Sequence, residues 1–116
     1  MVSQETIQEV IRSSFSDMSA SSQDALSACA VLLHAKKGTE LIAEGKRHKY
    51  FYLMVEGSAK TFYVKSGKEI CTWFAFDEEV LATIKTFNDE SSNESIVLLE
   101  DSSLIRFETS SVKALA

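Results

Sequence analysis

The sequence predicts a single, mainly β domain in which short antiparallel strands follow a helical lead-in. A chain of 116 residues suits one domain with one core. After residue 31, runs of β-branched and aromatic residues are separated by Gly38, Gly45, Gly57 and Gly67, at intervals of seven to twelve residues. Regular spacing of this kind favours a sandwich or barrel over alternating strands and helices.

Two helices are predicted in the lead-in, residues 1–30. Apolar residues recur at helical spacing from Ile7 to Phe15, and Ser3 is placed to cap this first helix. A second helix start is indicated at Ser21–Asp24, where a hydroxyl is followed three residues later by a carboxylate.

Residues 31–108 form the predicted β region. The dipeptide Ser66-Gly67 between two strand-like runs predicts a tight hairpin. The strand after it has apolar residues on both alternating faces, so we expect both faces to be covered. The predicted strands are Val31–Lys36, Thr39–Ala43, Tyr50–Glu56, Ser58–Lys65, Lys68–Phe76, Glu94–Leu99 and Ser103–Phe107.

The β pattern lapses between Asp77 and Asn93. Val80, Leu81, Ile84 and Phe87 follow helical spacing, which predicts a short helix inserted between strands. The carboxylates of Asp77–Glu79 are then expected to lie at the positive end of that helix dipole, where negative charge is stabilising.

Composition excludes several classes of function. The net charge of −5 disfavours nucleic-acid binding. No apolar run approaches the length of a membrane span, and the N-terminus does not resemble a secretory signal, so we expect a soluble, cytoplasmic protein.

Catalytic and metal sites find little support in the sequence. The two histidines, His34 and His48, do not occur in metal-ligand spacing, and Cys29 and Cys71 do not form a CxxC pair. We therefore predict no enzyme activity, no metal and no cofactor. His34 is expected to be a hydrogen-bonded strand residue and His48 an exposed loop residue.

Four segments resemble the cyclic-nucleotide-binding domain superfamily. The overall sequence pattern is most similar to the sensor half of Crp/Fnr (catabolite activator) type bacterial regulators. The four segments are Lys36–Gly45, Tyr50–Gly57, Gly67–Glu69 and Leu98–Leu104. The resemblance implies an antiparallel jelly roll with N-terminal helices, in which a short inserted helix and a neighbouring loop cradle a cyclic phosphate.

Members that bind nucleotides carry a Gly-Glu pair at that helix and an Arg-Ser/Thr-Ala triplet before the next strand. The resemblance implies that amides and guanidinium hold the phosphate while the glutamate holds the ribose. By position, Gly-Glu falls on Ala82 and Thr83, and the arginine on Ser92 or Asn93. The predicted, degenerate site positions are Ala82, Thr83, Ile84, Lys85, Ser92 and Asn93. Cyclic nucleotide binding is implied by the family but disfavoured by these residues.

The resulting hypothesis is a regulatory sensor domain of a transcription regulator that binds a small effector or a protein partner. Residues 109–116 are expected to begin the family's dimerisation helix, so this chain should not bind DNA alone and should form at most a weak homodimer. Two alternatives remain open. One is a cupin-like small-molecule-binding protein or enzyme, and the other is a structural interaction module whose pocket is filled by Met54, Ile84 and Phe87.

Overall fold

The computed structural model describes residues 4–82, 85, 88 and 90–113. Within these residues, two helices lead into eight strands, and a short helix follows the last strand. The helices are α1 Gln4–Ser14, α2 Ala20–Cys29 and α3 Thr109–Lys113. The strands are β1 Val31–Ala35, β2 Glu40–Ile42, β3 Tyr50–Glu56, β4 Ala59–Lys65, β5 Lys68–Ala75, β6 Val80–Leu81, β7 Ser95–Leu98 and β8 Ser102–Glu108.

The strands form two antiparallel four-stranded sheets, with strand orders β1-β8-β3-β6 and β2-β7-β4-β5. Their inner faces pack together around a core that includes Ile42, Met54, Ile96, Leu98 and Leu104. This β-roll confirms the predicted jelly roll. All seven predicted strands are present with ends shifted by at most one residue, and β6 is an eighth strand that the sequence pattern did not indicate.

The N-terminal helices cover the outer face of the first sheet. Ile7 and Ile11 of α1 and Leu26 of α2 lie in one buried cluster with side chains of β3 and β8. Phe51 and Phe107 stack there with their ring centroids 5.1 Å apart. The two predicted helices are confirmed, and Ser3 lies outside the described residues.

The start of α2 differs from the prediction. Its N-cap is Ser19, whose hydroxyl accepts a hydrogen bond from the Ser22 amide at 3.2 Å. Ser21 is therefore already inside the helix. The sequence contains three serines from position 19 to position 22. The prediction chose Ser21 because a carboxylate follows it by three residues, whereas the cap is Ser19.

The β4–β5 hairpin forms as predicted, with both turn residues, Ser66 and Gly67, at positive φ. A register shift at Thr72 changes which β5 side chains share a face of the sheet, because Thr61 pairs with Trp73 while Phe62 pairs with Cys71. Cys71 consequently shares a face with Phe74, not with Trp73 as strict alternation predicts.

The expectation that β5 is covered on both faces is wrong. β5 is the edge of its sheet, and only its last residue, Ala75, is buried. Exposed apolar side chains therefore lie on both of its faces, including Ile70, Trp73 and Phe74. An apolar composition on both faces does not distinguish a central strand from an edge strand.

The acidic run between β5 and β6 forms a tight turn and not the start of a helix. Asp77 Oδ1 accepts the Gly57 amide at 2.9 Å, and Glu79 Oε1 accepts the Phe76 amide at 2.9 Å. Glu78 adopts a left-handed φ of 66°. The predicted helix N-terminus at these carboxylates is wrong because their oxygens complete the turn instead.

The predicted inserted helix is also wrong at its first two residues. Val80 and Leu81 form β6, which pairs with Leu53 and Tyr52 of β3 and places Leu81 in the inter-sheet core. Beyond this strand, Lys85 has helical backbone. Residues 83, 84, 86, 87 and 89 of the predicted helix lie outside the described residues.

Gly57 lies where two strands' ends approach closely. Its φ is +136°, and a Cβ there would lie 2.1 Å from Ser102 Oγ and 3.1 Å from Ser102 Cα. Gly38 also has positive φ, but a Cβ there would meet nothing within 4 Å. Gly57 is therefore required by both conformation and space, and Gly38 by conformation alone.

We predict that Gly57→Ala lowers the free energy of unfolding by about 2 to 5 kcal/mol, because strain and steric overlap add. Gly38→Ala, the matched control, should cost about 1 kcal/mol from strain alone. Urea unfolding monitored by circular dichroism measures both. If the two variants lose the same free energy of unfolding, the contact with Ser102 does not matter. The same conclusion would follow if adding Ser102→Gly to Gly57→Ala restored none of the lost stability.

Tyr52 is a buried phenol on the inner face of β3. Burial raises the pKa of its hydroxyl above 10.0, the positive charge of Arg106 partly lowers it, and Tyr50 raises it. Arg106 pairs with Tyr52 across the strands and lies 4.3 Å from the centroid of the Tyr50 ring. The folded chain therefore holds this proton to a higher pH than the unfolded chain does.

We predict an alkaline loss of stability that Tyr52→Phe diminishes. Since the unfolded phenol ionises near pH 10 and the folded one above it, the free energy of unfolding falls as pH rises from about 10 through the folded pKa. Urea titrations between about pH 8.5 and 11 measure this slope. Tyr63→Phe in the hairpin serves as the control, and an unchanged slope in Tyr52→Phe would contradict the assignment.

Candidate functional site

A cavity of about 430 Å³ lies at the edge of the roll where β5 of one sheet faces β6 of the other. Two hydroxyls, two carboxylates and several apolar side chains line it. The lining residues are Thr61, Thr72, Trp73, Glu79, Val80, Leu81, Ala82, Glu94 and Ile96. The cavity thus combines one aromatic ring, an apolar floor and a few polar groups, which is the usual composition of a small-molecule site.

Trp73 forms the aromatic wall of the cavity. It pairs with Thr61, which in turn pairs with buried Ile96, so its side chain lies on the inward face of the sheet. Nevertheless, Trp73 is 60% exposed, because β5 is an edge strand and the ring borders the open cavity. The indole is therefore accessible at the cavity.

The register shift in the hairpin supplies a second cavity group. Thr72 has no partner residue on β4, and its hydroxyl bonds Glu94 Oε2 while lying 3.3 Å from the Thr61 carbonyl. The bulge therefore directs the Thr72 side chain towards the cavity and orients the Glu94 carboxylate there.

Glu79 contributes the second carboxylate. Besides the bond from the Phe76 amide to its Oε1, its backbone carbonyl accepts the Met54 amide at 2.9 Å. The Glu78 amide donates to the Met54 carbonyl at 2.7 Å, so the turn is bonded to β3 on both sides. Glu79 is half-buried and held at the cavity by backbone contacts rather than by a salt bridge.

The electrostatic character of the site is acidic. Among the described residues, the nine that line it include Glu79 and Glu94 and no Lys, Arg or His. Lys85, the one cation between Asp77 and Glu94 in the sequence, is exposed and forms an ion pair with Glu90 at 3.0 Å. Nothing among the lining residues offsets the two negative charges.

Four of the six site positions predicted from the sequence are described in the structure, and of these four Ala82 is the one that lines the cavity. Ala82 lines the cavity, Lys85 is exposed and paired with Glu90, and Asn93 is exposed. Thr83 and Ile84 lie outside the described residues.

Ser92, the other candidate for the family arginine, has a local structural role. It is buried, its hydroxyl donates to the Glu94 carbonyl at 2.6 Å, and its backbone carbonyl accepts the Gly45 amide at 2.7 Å. Its own amide donates to the Lys46 carbonyl at 2.9 Å. Ser92 therefore attaches the loop after β2 to the segment that positions Glu94.

Sequence reasoning missed Thr61, Thr72, Trp73, Glu79 and Glu94 as site residues. The sequence predicts Trp73 on a strand covered on both faces, Glu79 at the start of a helix and Glu94 at the start of a strand. Single-sequence periodicity does not indicate that β5, β6 and β7 border one cavity.

The two histidines have structural partners. His34 Nδ1 lies 2.8 Å from Ser103 Oγ, which confirms the predicted hydrogen-bonded strand histidine. The prediction of an exposed His48 is wrong, because His48 is half-buried and its Nε2 accepts the Ala43 amide at 2.9 Å. In the described residues, no group of three or more His, Cys, Asp or Glu side chains is arranged to hold a metal.

A larger cavity, about 480 Å³, lies at the ends of β1, β3 and the β7–β8 turn. Two of its carboxylates are engaged in holding turns, since Glu100 accepts the Ser58 hydroxyl at 2.6 Å and Asp101 accepts the Lys37 amide at 2.9 Å. Its described lining includes the imidazole of His34 but no Trp, Tyr or Phe side chain. We therefore take the cavity beside Trp73 as the candidate site.

A comparison with protein families matches residues 32–116 to the cyclic nucleotide-binding domain. The chain belongs to this family. The matched region covers β2 to β8 and nearly all of β1, including every residue that lines the cavity. A search of curated protein sequences finds no match. None of the helices in the described residues has the length and apolar character of a membrane span.

Solved structures share the cyclic nucleotide-binding fold at low sequence identity. The sensor domain of the transcriptional regulator DNR from Pseudomonas aeruginosa is 19% identical, with a TM-score of 0.85, over 99% of this chain and 79% of that one. The PKA regulatory domain of Toxoplasma gondii with cAMP is 12% identical, with a TM-score of 0.87, over 97% of this chain and 44% of that one.

A third similar structure is the regulatory subunit of a cAMP-independent protein kinase A from Trypanosoma cruzi bound to guanosine. It is 10% identical with a TM-score of 0.86, over 97% of this chain and 41% of that one. The chain thus spans less than half the length of both kinase regulatory structures.

We predict that the fluorescence of Trp73, the single tryptophan of the chain, reports directly on this cavity. Because the indole is largely exposed, its emission should resemble that of a hydrated indole and be readily quenched by acrylamide. Phe74→Ala, a change on the opposite face of β5, should leave the quenching unchanged. Blue-shifted emission that resists quenching would show that the cavity is closed.

Proposed function

We propose that this domain is the effector-sensing domain of a Crp/Fnr-type transcription regulator, and that its cavity takes a small molecule other than a cyclic nucleotide. The observation that carries this proposal is the charge of the lining, which includes two carboxylates and no cation. The high structural similarity to the DNR sensor domain supports the regulator class. No step of this function requires catalysis.

The carboxylates make a cyclic phosphate an unfavourable occupant. A desolvated phosphate needs charge-assisted hydrogen bonds, each contributing on the order of 1.5–3 kcal/mol. Here an anion would approach Glu79 and Glu94, and Lys85 is already paired with Glu90. The structurally similar kinase regulatory subunit bound to guanosine supports a ligand other than a cyclic nucleotide, because guanosine has no phosphate.

The open cavity favours ligand sensing over a purely structural module. Met54, expected to fill the pocket in such a module, is fully buried in the inter-sheet core and does not line the cavity. Ile84 and Phe87 lie outside the described residues. In the proposed function, a ligand between β5 and β6 changes the contacts at the edge of the roll, and the regulator responds to that change in the cytoplasm.

We predict that cyclic AMP and cyclic GMP bind with dissociation constants above about 0.1 mM, a value that corresponds to a binding free energy of roughly −5.5 kcal/mol. Titration calorimetry with each nucleotide measures this. Glu79→Gln/Glu94→Gln should improve the affinity because it removes the repulsion, and Lys85→Ala should have little effect. A saturable low-micromolar isotherm that Lys85→Ala abolishes would contradict the proposal.

A further inference from the structure

We propose that the ligand of the cavity beside Trp73 is a small organic cation, such as a protonated amine or quaternary ammonium attached to an apolar body. This inference rests on the proposed function and names the chemical class of the effector. It combines the acidic lining, the exposed indole and the apolar floor, which together define a site for a cation with a hydrophobic part.

Each cavity carboxylate is held by one oxygen and retains the other for a ligand. Glu79 Oε1 accepts the Phe76 amide and Glu94 Oε2 accepts the Thr72 hydroxyl. Within the described residues, no hydrogen bond or ion pair occupies Glu79 Oε2 or Glu94 Oε1. An ammonium group donates hydrogen bonds and accepts none, so it fits acceptors of this kind.

The part of the chain that the structure describes does not supply a cation to the site. No lining residue is basic, and Lys85 pairs with Glu90. The undescribed residues of this segment, at positions 83, 84, 86, 87 and 89, include no Lys, Arg or His in the sequence. A pair of unneutralised carboxylates in a partly enclosed cavity lowers the energy of a bound cation and raises that of an anion.

Trp73 provides the second recognition element. A cation over an indole face is attracted by the ring quadrupole, and tryptophan is the most effective side chain for this contact. Trp73 lies on the same cavity wall as Thr72, which holds Glu94, so one ligand can meet the ring and a carboxylate together.

The rest of the lining selects for an apolar body. Leu81 and Ile96, which are 2% and 1% exposed, border the cavity from the inter-sheet core, and Val80 and Ala82 also line it. A volume of about 430 Å³ accommodates a ring or a branched alkyl group as well as the ammonium. A metal ion or a small inorganic cation would leave this surface in contact with water.

The test uses three probes of the same size that differ in charge: 2-phenylethylamine as the cation, 2-phenylethanol as the neutral compound and phenylacetate as the anion. Each is titrated into the full chain near pH 7.5, with excitation at the red edge of indole absorption so that only Trp73 responds. We expect the amine to bind at least about tenfold more tightly than the alcohol, and phenylacetate to bind least well.

Variants separate charge from shape. Glu94→Gln and Glu79→Gln should each reduce the preference for the amine over the alcohol about fivefold, while Glu40→Gln, an exposed carboxylate outside the cavity, should leave it unchanged. Trp73→Leu, measured by calorimetry, should weaken the amine more than the alcohol. Thermal unfolding of every variant confirms that it remains folded.

The outcomes distinguish this inference from the proposed function. Equal binding of the amine and the alcohol would overturn the cationic class while leaving a small-molecule sensor in place. If Glu79→Gln and Glu94→Gln both retain the full preference for the amine, the cationic class would likewise be overturned while a small-molecule sensor stays in place. Tight binding of cyclic AMP together with rejection of the amine would overturn the inference and the proposed function at once.

Discussion

The turn from Phe76 to Glu79 is the constraint on which the cavity depends, because it carries the chain from the edge of one sheet to the edge of the other. It is held by the bond between the Gly57 amide and Asp77, and by the two backbone bonds to Met54. A left-handed residue at Glu78 makes the turn short. Since β5 and β6 lie at its two ends, the turn sets their separation and thereby the width of the cavity.

The same acidic segment that builds the turn also determines which ligands fit. Asp77 and Glu79 each accept a backbone amide, and Glu79 also lines the cavity, so the turn and the cavity lining share one short stretch of sequence. The chain belongs to the cyclic nucleotide-binding family, and the described lining of its cavity includes two carboxylates and no Lys, Arg or His, which is the basis of the proposed change in ligand charge. The fold can retain its scaffold while the ligand chemistry changes, because Trp73, Glu79 and Glu94 belong to neither of the two buried clusters.

The strands were predictable from sequence because each is a local run of β-branched and aromatic residues bounded by turn residues, as in Tyr50–Glu56 and the Ser66-Gly67 hairpin. The site was much less predictable. Its geometry depends on a register shift at Thr72, on edge position in the sheet and on a two-residue strand, β6. None of these features produces a periodic pattern in the sequence. The two apolar residues Val80 and Leu81 fit the start of a helix and a strand of two residues equally well.

The most direct test of the central claim, that this cavity is an acidic ligand site beside Trp73, is an NMR titration that follows the single indole N–H signal of the chain. We expect 2-phenylethylamine to shift this signal to saturation, whereas cyclic AMP at the same concentration leaves it in place. A saturating shift with cyclic AMP and none with the amine would show that the cavity is not an acidic ligand site.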